Sequence, residues 1–361
     1  MIEYENLYEL NKPFIHEYRS RFEEVLNSGW FILGNQVQEF ENKFARYCGT
    51  KFCVGVANGL DALTLALRSF SFKEGAEVIV PSNTYIATIL SILNCHLKPV
   101  LVEPDIATYN IDPKRIEEAI TKKTVAIMVV HLYGKCCAMD KIVKLTEKFG
   151  LKLIEDCAQA HGAKFKGKRA GVFGDYGAFS FYPTKNLGSL GDGGCLTTAS
   201  EELAKKIMLL RNYGSERRYY NEVIGVNSRL DEMQAAFLNV KLNALDRINE
   251  HKRTLAGIYT RELKQDFTGP VVDADYYDVY HIYNVRHPER DVLREYLLKR
   301  EIKTEIHYPV PPHQQAALRE IFGGQSYPVS EEIHSTTLSL PVSYMHSEMD
   351  IQKVVEVMNK F

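Results

Sequence analysis

Three stretches of the chain place reactive side chains where surface chemistry alone gives little reason for them. The first is LKLIED (151–156), an apolar run that ends in two carboxylates, Glu155 and Asp156. Successive side chains of a strand point to opposite faces, so these two acids face different surroundings. One reading makes them a helix cap or a solvated acidic end. The other makes one of them a partly buried acid that must face a cation. The second stretch is GAFSFYPTKNLGSLGDGG (177–194). It begins with the alternation of a strand, Pro183 breaks it, and Lys185 follows in a loop carrying Gly188, Gly191, Gly193 and Gly194. A loop lysine is ordinarily a surface charge. Among aromatic and glycine residues, desolvation would lower its pKa and free the amine to attack a carbonyl. The third is VGVANGLDALTLAL (54–67), where a strand ends at Asn58-Gly59 and a helix begins. Unpaired backbone N–H groups at such a junction bind an anion without a charged side chain.

The elements that must position these residues follow from periodicity. Residues 15–47 read as two helices around a glycine-bounded turn, Gly29 to Gly34. Apolar runs at 52–56, 77–80, 99–102, 125–130 and 151–155 then alternate with helical patterns at 62–70, 85–93, 113–119 and 139–149. This rhythm predicts an α/β fold with a mostly parallel central sheet covered on both faces. Ligands of such sheets sit at the C-terminal ends of the strands. Residues 231–251 read as one long connecting helix. Beyond it, separate signals at 280–286, 290–300, 303–308 and 348–359 predict a smaller α+β unit. The expected division is a large domain over 1–245 and a small C-terminal domain over 246–361.

Taken in order, several blocks resemble the DegT/DnrJ/EryC1/StrS sugar aminotransferases, within the fold-type I (aspartate aminotransferase-like) enzymes that use pyridoxal 5'-phosphate (PLP). The blocks include GWFILGNQVQEFENKFARYCG (29–49), ANGLDAL (57–63), PSNTYIAT (81–88), VHLYG (130–134), EDCAQAHGA (155–163), SFYPTKNLGSLGDGG (180–194) and GVNSRLDEMQAA (225–236). The resemblance implies that Lys185 forms the Schiff base with the cofactor and that Asp156 pairs with its pyridine nitrogen. It puts Gln159 near the phenolic oxygen and Tyr85 on the ring face, although a core aromatic is an equal reading of Tyr85 alone. Gly59, the Leu60 backbone N–H and Ser180 hold the phosphate, and Asn227 reaches the phosphate of a neighbouring subunit, which implies a homodimer with shared sites. Many members carry Thr where this chain has Leu60, so one hydroxyl contact is missing here. On the sugar side, the resemblance offers Tyr182, His307, Tyr308 and His313, with Arg217 and Arg218 for a pyrophosphate from the partner chain. Ordinary surface roles remain open for the histidines and arginines. The implied reaction moves an amino group from L-glutamate to a nucleotide-linked keto-sugar. The blocks around the lysine resemble members acting at C3 of dTDP-3-keto-6-deoxyhexoses more than those acting at C4 of UDP- or dTDP-4-keto-sugars.

Bulk properties fit this picture. A formal charge of -2 argues against coating nucleic acid or an anionic membrane. No apolar run is long enough to span a bilayer, and MIEYENLYELNKPF carries no secretory pattern. Seven scattered cysteines without CxxC spacing suit reduced thiols in the cytoplasm. Two other classes are weighed. A non-catalytic regulator on the same fold would have lost Lys185 or Asp156, and both are present. A metal enzyme using His131, Cys136, Cys137 and His161 lacks compact ligand spacing, so no metal is expected.

Overall fold

A computed structural model describes residues 1–217 and 219–361. Five strands come first: β1 (Phe52–Val56), β2 (Glu77–Pro81), β3 (Lys98–Val102), β4 (Thr124–Val130) and β5 (Lys152–Asp156). A small pair follows, β6 (Lys164–Phe165) and β7 (Lys168–Arg169), then β8 (Tyr176–Ser180) and β9 (Gly194–Thr198). The last three are β10 (Tyr276–Tyr277), β11 (Tyr283–Arg286) and β12 (Thr337–Leu340). Seven of them form one sheet in the order β1-β9-β8-β5-β4-β2-β3. The pairings β8-β5-β4-β2-β3 are parallel, while β9 runs antiparallel to both β1 and β8. Helices Gly59–Ser69, Ile86–Leu93, Pro113–Ala119 and Met139–Phe149 cross between strands, as the alternation requires. Both faces are covered, so the central strands are buried nearly throughout.

Two cores sandwich the sheet. One gathers Phe40, Phe44, Ile79, Ile127, Phe179 and Leu245; the other gathers Val54, Leu65, Val78, Met128, Ile154 and Tyr176. A third core joins Leu255, Tyr259, Leu293, Leu338 and Ile351 around β11 and β12, and it includes Ile2. The helix Leu245–Glu262 starts in the large core at Leu245 and ends in the third core with Leu255 and Tyr259, where Ile2 of the N-terminal tip also packs.

Two expected elements differ. The connector over 231–251 is two helices, Glu232–Leu242 and Leu245–Glu262, broken at Asn243 and Ala244. Asn competes with the helix for its own backbone, and Leu242 and Leu245 on either side of the break bury in the same large core. The segment 303–308 forms no strand beyond one bridge, Glu305 to Ser339. Pro309, Pro311 and Pro312 follow and have no N–H to extend a ladder.

The helix Asn35–Cys48 begins at Gly34 without a side-chain cap of its own. Glu232 supplies one from the far helix: its carboxylate accepts the N–H groups of Gly34, Gln36 and Val37 at 2.8, 2.9 and 2.9 Å. A buried anion at a helix start satisfies orphan donors and complements the helix dipole. Glu232→Ala is expected to lower unfolding stability by about 3 kcal/mol, since charged-group hydrogen bonds and unsatisfied donors each count for roughly 1–3. Urea denaturation checks this; a loss below about 0.5 kcal/mol, the size of a neutral surface change, would contradict the capping role.

Candidate active site

The C-terminal ends of the parallel strands surround a cavity of about 610 Å³. Asp156 closes β5 and faces it, while Glu155, one residue earlier, points to the opposite side. Asp156 is buried, accepts Thr88 Oγ1 at 2.9 Å and the Ala158 N–H at 3.0 Å, and has no ion pair among the described residues. Burial raises its pKa above the ordinary carboxylate range, against the pull of those two donors, Lys185 and His131. Glu155 accepts His131 Nε2 at 2.9 Å and the N–H groups of Gly171, Phe173 and Gly174. Two adjacent acids thus do different work: one latches a loop and the other waits at the cavity.

Lys185 lines the same cavity. β8 ends at Ser180, and the loop after it curls so tightly that a Cβ on Gly188 would lie 2.3 Å from the Pro183 carbonyl oxygen. The Lys185 N–H donates to the Tyr182 carbonyl at 2.8 Å, and Ser189 returns to Phe181 through both its N–H (2.8 Å) and its hydroxyl (2.7 Å). Burial pulls the Lys185 amine down to about 8, against the opposing pull of Asp156.

The strand–helix junction adds a third wall. Asn58 caps the helix Gly59–Ser69 by accepting the Asp61 N–H at 2.8 Å. Gly59, Leu60 and Ser180 line the cavity beside this helix start. A Cβ on Gly59 would lie 2.7 Å from Ser180 Cβ, so only glycine allows the two to meet. Gln159 is held at both ends. Its Oε1 accepts the Tyr133 N–H at 2.6 Å, which fixes the amide orientation, and its Nε2 donates to the Tyr308 hydroxyl at 2.9 Å.

The remaining wall carries Tyr85, Tyr182, His307 and Tyr308. Tyr85 is 53% exposed and sits 5.1 Å from the Tyr308 ring, so it stands at the open mouth and not in the core. His307 Nδ1 pairs with Ser339 Oγ at 2.9 Å, and burial beside Lys185 lowers its pKa to about 4. His313 does not reach this cavity. It is buried nearby, with Nε2 3.0 Å from Glu331 and its ring against Tyr327. Asn227 and Arg217 are exposed and line no part of their own chain's cavity; the Arg217 guanidinium rests 4.6 Å from the Tyr220 ring. Arg218 lies outside the described residues.

Two contributors had no sequence signal strong enough to single them out. Thr88 reads as one polar residue in an apolar helix, and His281 opens an aromatic strand; both face the reactive pair. Among the described residues, one group of metal-ligating atoms converges: His131, Glu155 and Cys157, within 4.8 Å. Both imidazole nitrogens of His131 are already engaged, Nδ1 by the Cys137 N–H and Nε2 by Glu155.

Sheet order, lysine loop and strand-end acid are those of the fold-type I PLP-dependent transferases. The crystal structure of Streptomyces venezuelae DesV matches with a TM-score of 0.96 at 41% identity, covering 99% of this chain and 98% of that one. Bacillus subtilis NtdA, solved with bound cofactor PMP, matches at 0.91 and 29% identity over 98% of this chain and 83% of that one. The model of the DegT/DnrJ/EryC1/StrS aminotransferase family matches residues 14–359, and the chain belongs to that family. A dTDP-3-amino-3,6-dideoxy-alpha-D-galactopyranose transaminase of Aneurinibacillus thermoaerophilus is 52% identical over 362 residues, all of this chain and 99% of the relative. No helix among the described residues is long and apolar enough to cross a membrane.

Thr88→Val tests the support of Asp156. Loss of the hydroxyl raises the carboxyl pKa further. A raised folded-state pKa stabilises at low pH and is lost as pH rises through it, so the variant's stability deficit should be larger at pH 8 than at pH 5. Thermal unfolding at both values checks this. An equal deficit would mean that Thr88 acts through packing alone.

Proposed function

We propose that this chain is a PLP-dependent aminotransferase that carries nitrogen from L-glutamate to C3 of a dTDP-3-keto-6-deoxyhexose, giving a dTDP-3-amino-3,6-dideoxyhexose. What carries the reading is the placement of Lys185 and Asp156 on one cavity, in a chain 52% identical from end to end to a dTDP-3-amino-sugar transaminase. The cavity suits the cofactor on its own evidence. Asp156 is a buried acid without an ion-pair partner among the described residues, and Gly59 and Ser180 meet at an open helix start where a side chain would intrude.

When bound, PLP supplies a carbonyl for amines and a ring that withdraws electrons from the adjacent carbon. Lys185 would hold it, Asp156 would keep its ring nitrogen protonated, and Gly59, Leu60 and Ser180 would take its phosphate through backbone and hydroxyl donors. Gln159 presents an amide already fixed by Tyr133 and Tyr308, and Tyr85 closes the mouth. Displaced by an amino donor, the Lys185 amine becomes a base. With a pKa near 8, a useful fraction is unprotonated at neutral pH, and Nζ takes the proton from the donor's α-carbon and passes it on. Tyr182, His307 and Tyr308 would orient the sugar.

Asn227 and Arg217 are exposed and line no part of their own cavity, which suits their reaching a partner's. The proposed active unit is a two-fold homodimer. Mixing Lys185→Ala chains with Asn227→Asp chains should restore part of the activity, because one site of a mixed dimer carries both defects and the other none. A verified heterodimer without recovery would overturn the shared site.

Substrate choice is tested with a panel of 3-keto and 4-keto sugars on dTDP and UDP, with glutamate as donor. The 3-keto-6-deoxyhexose on dTDP should be aminated at least about 100-fold faster than any 4-keto sugar, a gap of roughly 2.7 kcal/mol. Faster turnover of a 4-keto sugar would move the reaction to C4. Lys185→Ala should abolish turnover on every sugar, and Asp156→Asn should slow it by orders of magnitude.

A further inference from the structure

His281 enters the site from the turn before β11. Its Nε2 lies 3.5 Å from Lys185 Nζ, and its Nδ1 is enclosed with no hydrogen-bond partner among the described residues. Two features pin its backbone. Buried Lys252 donates from Nζ to the His281 carbonyl at 3.2 Å. Gly134 packs against the same turn so closely that a Cβ there would lie 2.9 Å from the His281 nitrogen. The backbone is thus held in place, and Nε2 is the ring nitrogen toward the reactive amine.

We propose that His281 is a positioning residue for Lys185, accepting a hydrogen bond from its ε-ammonium and fixing the direction in which the amine works. This rests on the aminotransferase reading above. Asp156, Asp192, Tyr182 and Tyr308 share the cavity of His281. Burial first, then Lys185, Lys252, His307 and His161, hold its imidazole neutral and well below its ordinary pKa. A neutral imidazole with its proton on Nδ1 can accept at Nε2. Asp156 is the acid that acts on Lys185, and His161, His281, His307 and Lys252 share its surroundings. When Nζ takes the donor's proton it carries three N–H bonds. One rests on His281, and the proton that moves on leaves from another, so His281 ends each cycle as it began. The distance is long for a hydrogen bond, as such contacts often are before substrate binds.

Two readouts test this, one of them independent of cofactor. In the full-length protein stripped of cofactor, the pH dependence of Lys185 modification by an amine-reactive reagent, followed by peptide mass spectrometry, gives the amine pKa. His281→Phe removes the acceptor, so the pKa should fall by about 0.5–1 unit, and His281→Gln, which keeps an acceptor, should restore most of it. In the cofactor-loaded protein, the single-turnover reaction with glutamate should slow about 10-fold in His281→Phe and recover in part in His281→Gln. His281→Leu replaces the Phe variant if that chain does not fold. An unchanged amine pKa in the Phe or Leu variant would overturn the proposal, even if the wild-type enzyme transaminates. A shifted pKa with no amino transfer by the wild type would support the contact and overturn the function it was built on.

Discussion

The structure depends on taking a lysine and a carboxylate out of water in one cavity without letting them form an ion pair. Burial disfavours the charged form of each: it lowers the Lys185 amine to about 8 and raises the Asp156 carboxyl. A direct pair would relax both groups and leave neither free for a ligand. Their separation is enforced by covalent position. Asp156 is fixed at the end of β5, between β4 and β8, and Lys185 rides a loop that leaves β8 and is folded back by Ser189 and Gly188.

Much of the remaining architecture supports these two positions. Thr88 and the Ala158 N–H hold the Asp156 carboxylate, and β5 is kept in place from the other face by Glu155, which ties His131 to the 171–174 turn. Buried polar networks of this kind cost little only when each member is satisfied. Glu155 meets that condition with four donors. Asp156 has two, and the shortfall on its cavity side is what makes it available to a cation.

Local pattern brings Lys185, Asp156 and Gly59 forward as candidates, because each lies at a structural break, but it leaves surface roles open; the expected roles come from the resemblance of the ordered blocks. Thr88 and His281 gave no such signal because their roles depend on contacts 68 and 96 residues away in sequence. The same limit explains the connector over 231–251. Helical periodicity persists through Asn243, and apolar residues on both sides of it, Leu242 and Leu245, bury in one core, so the pattern carries no sign of the break. His313 shows the converse: a histidine in a proline-rich loop looked available, and the fold spends it on Glu331.

The central claim is that Lys185, of all the amines in the chain, is the one poised for a carbonyl. Protein purified with PLP, reduced with sodium borohydride and digested, should carry the phosphopyridoxyl group on the peptide containing Lys185. A second protein reduced after glutamate has been added should carry little or none. Label on another lysine, or on none, would contradict the account.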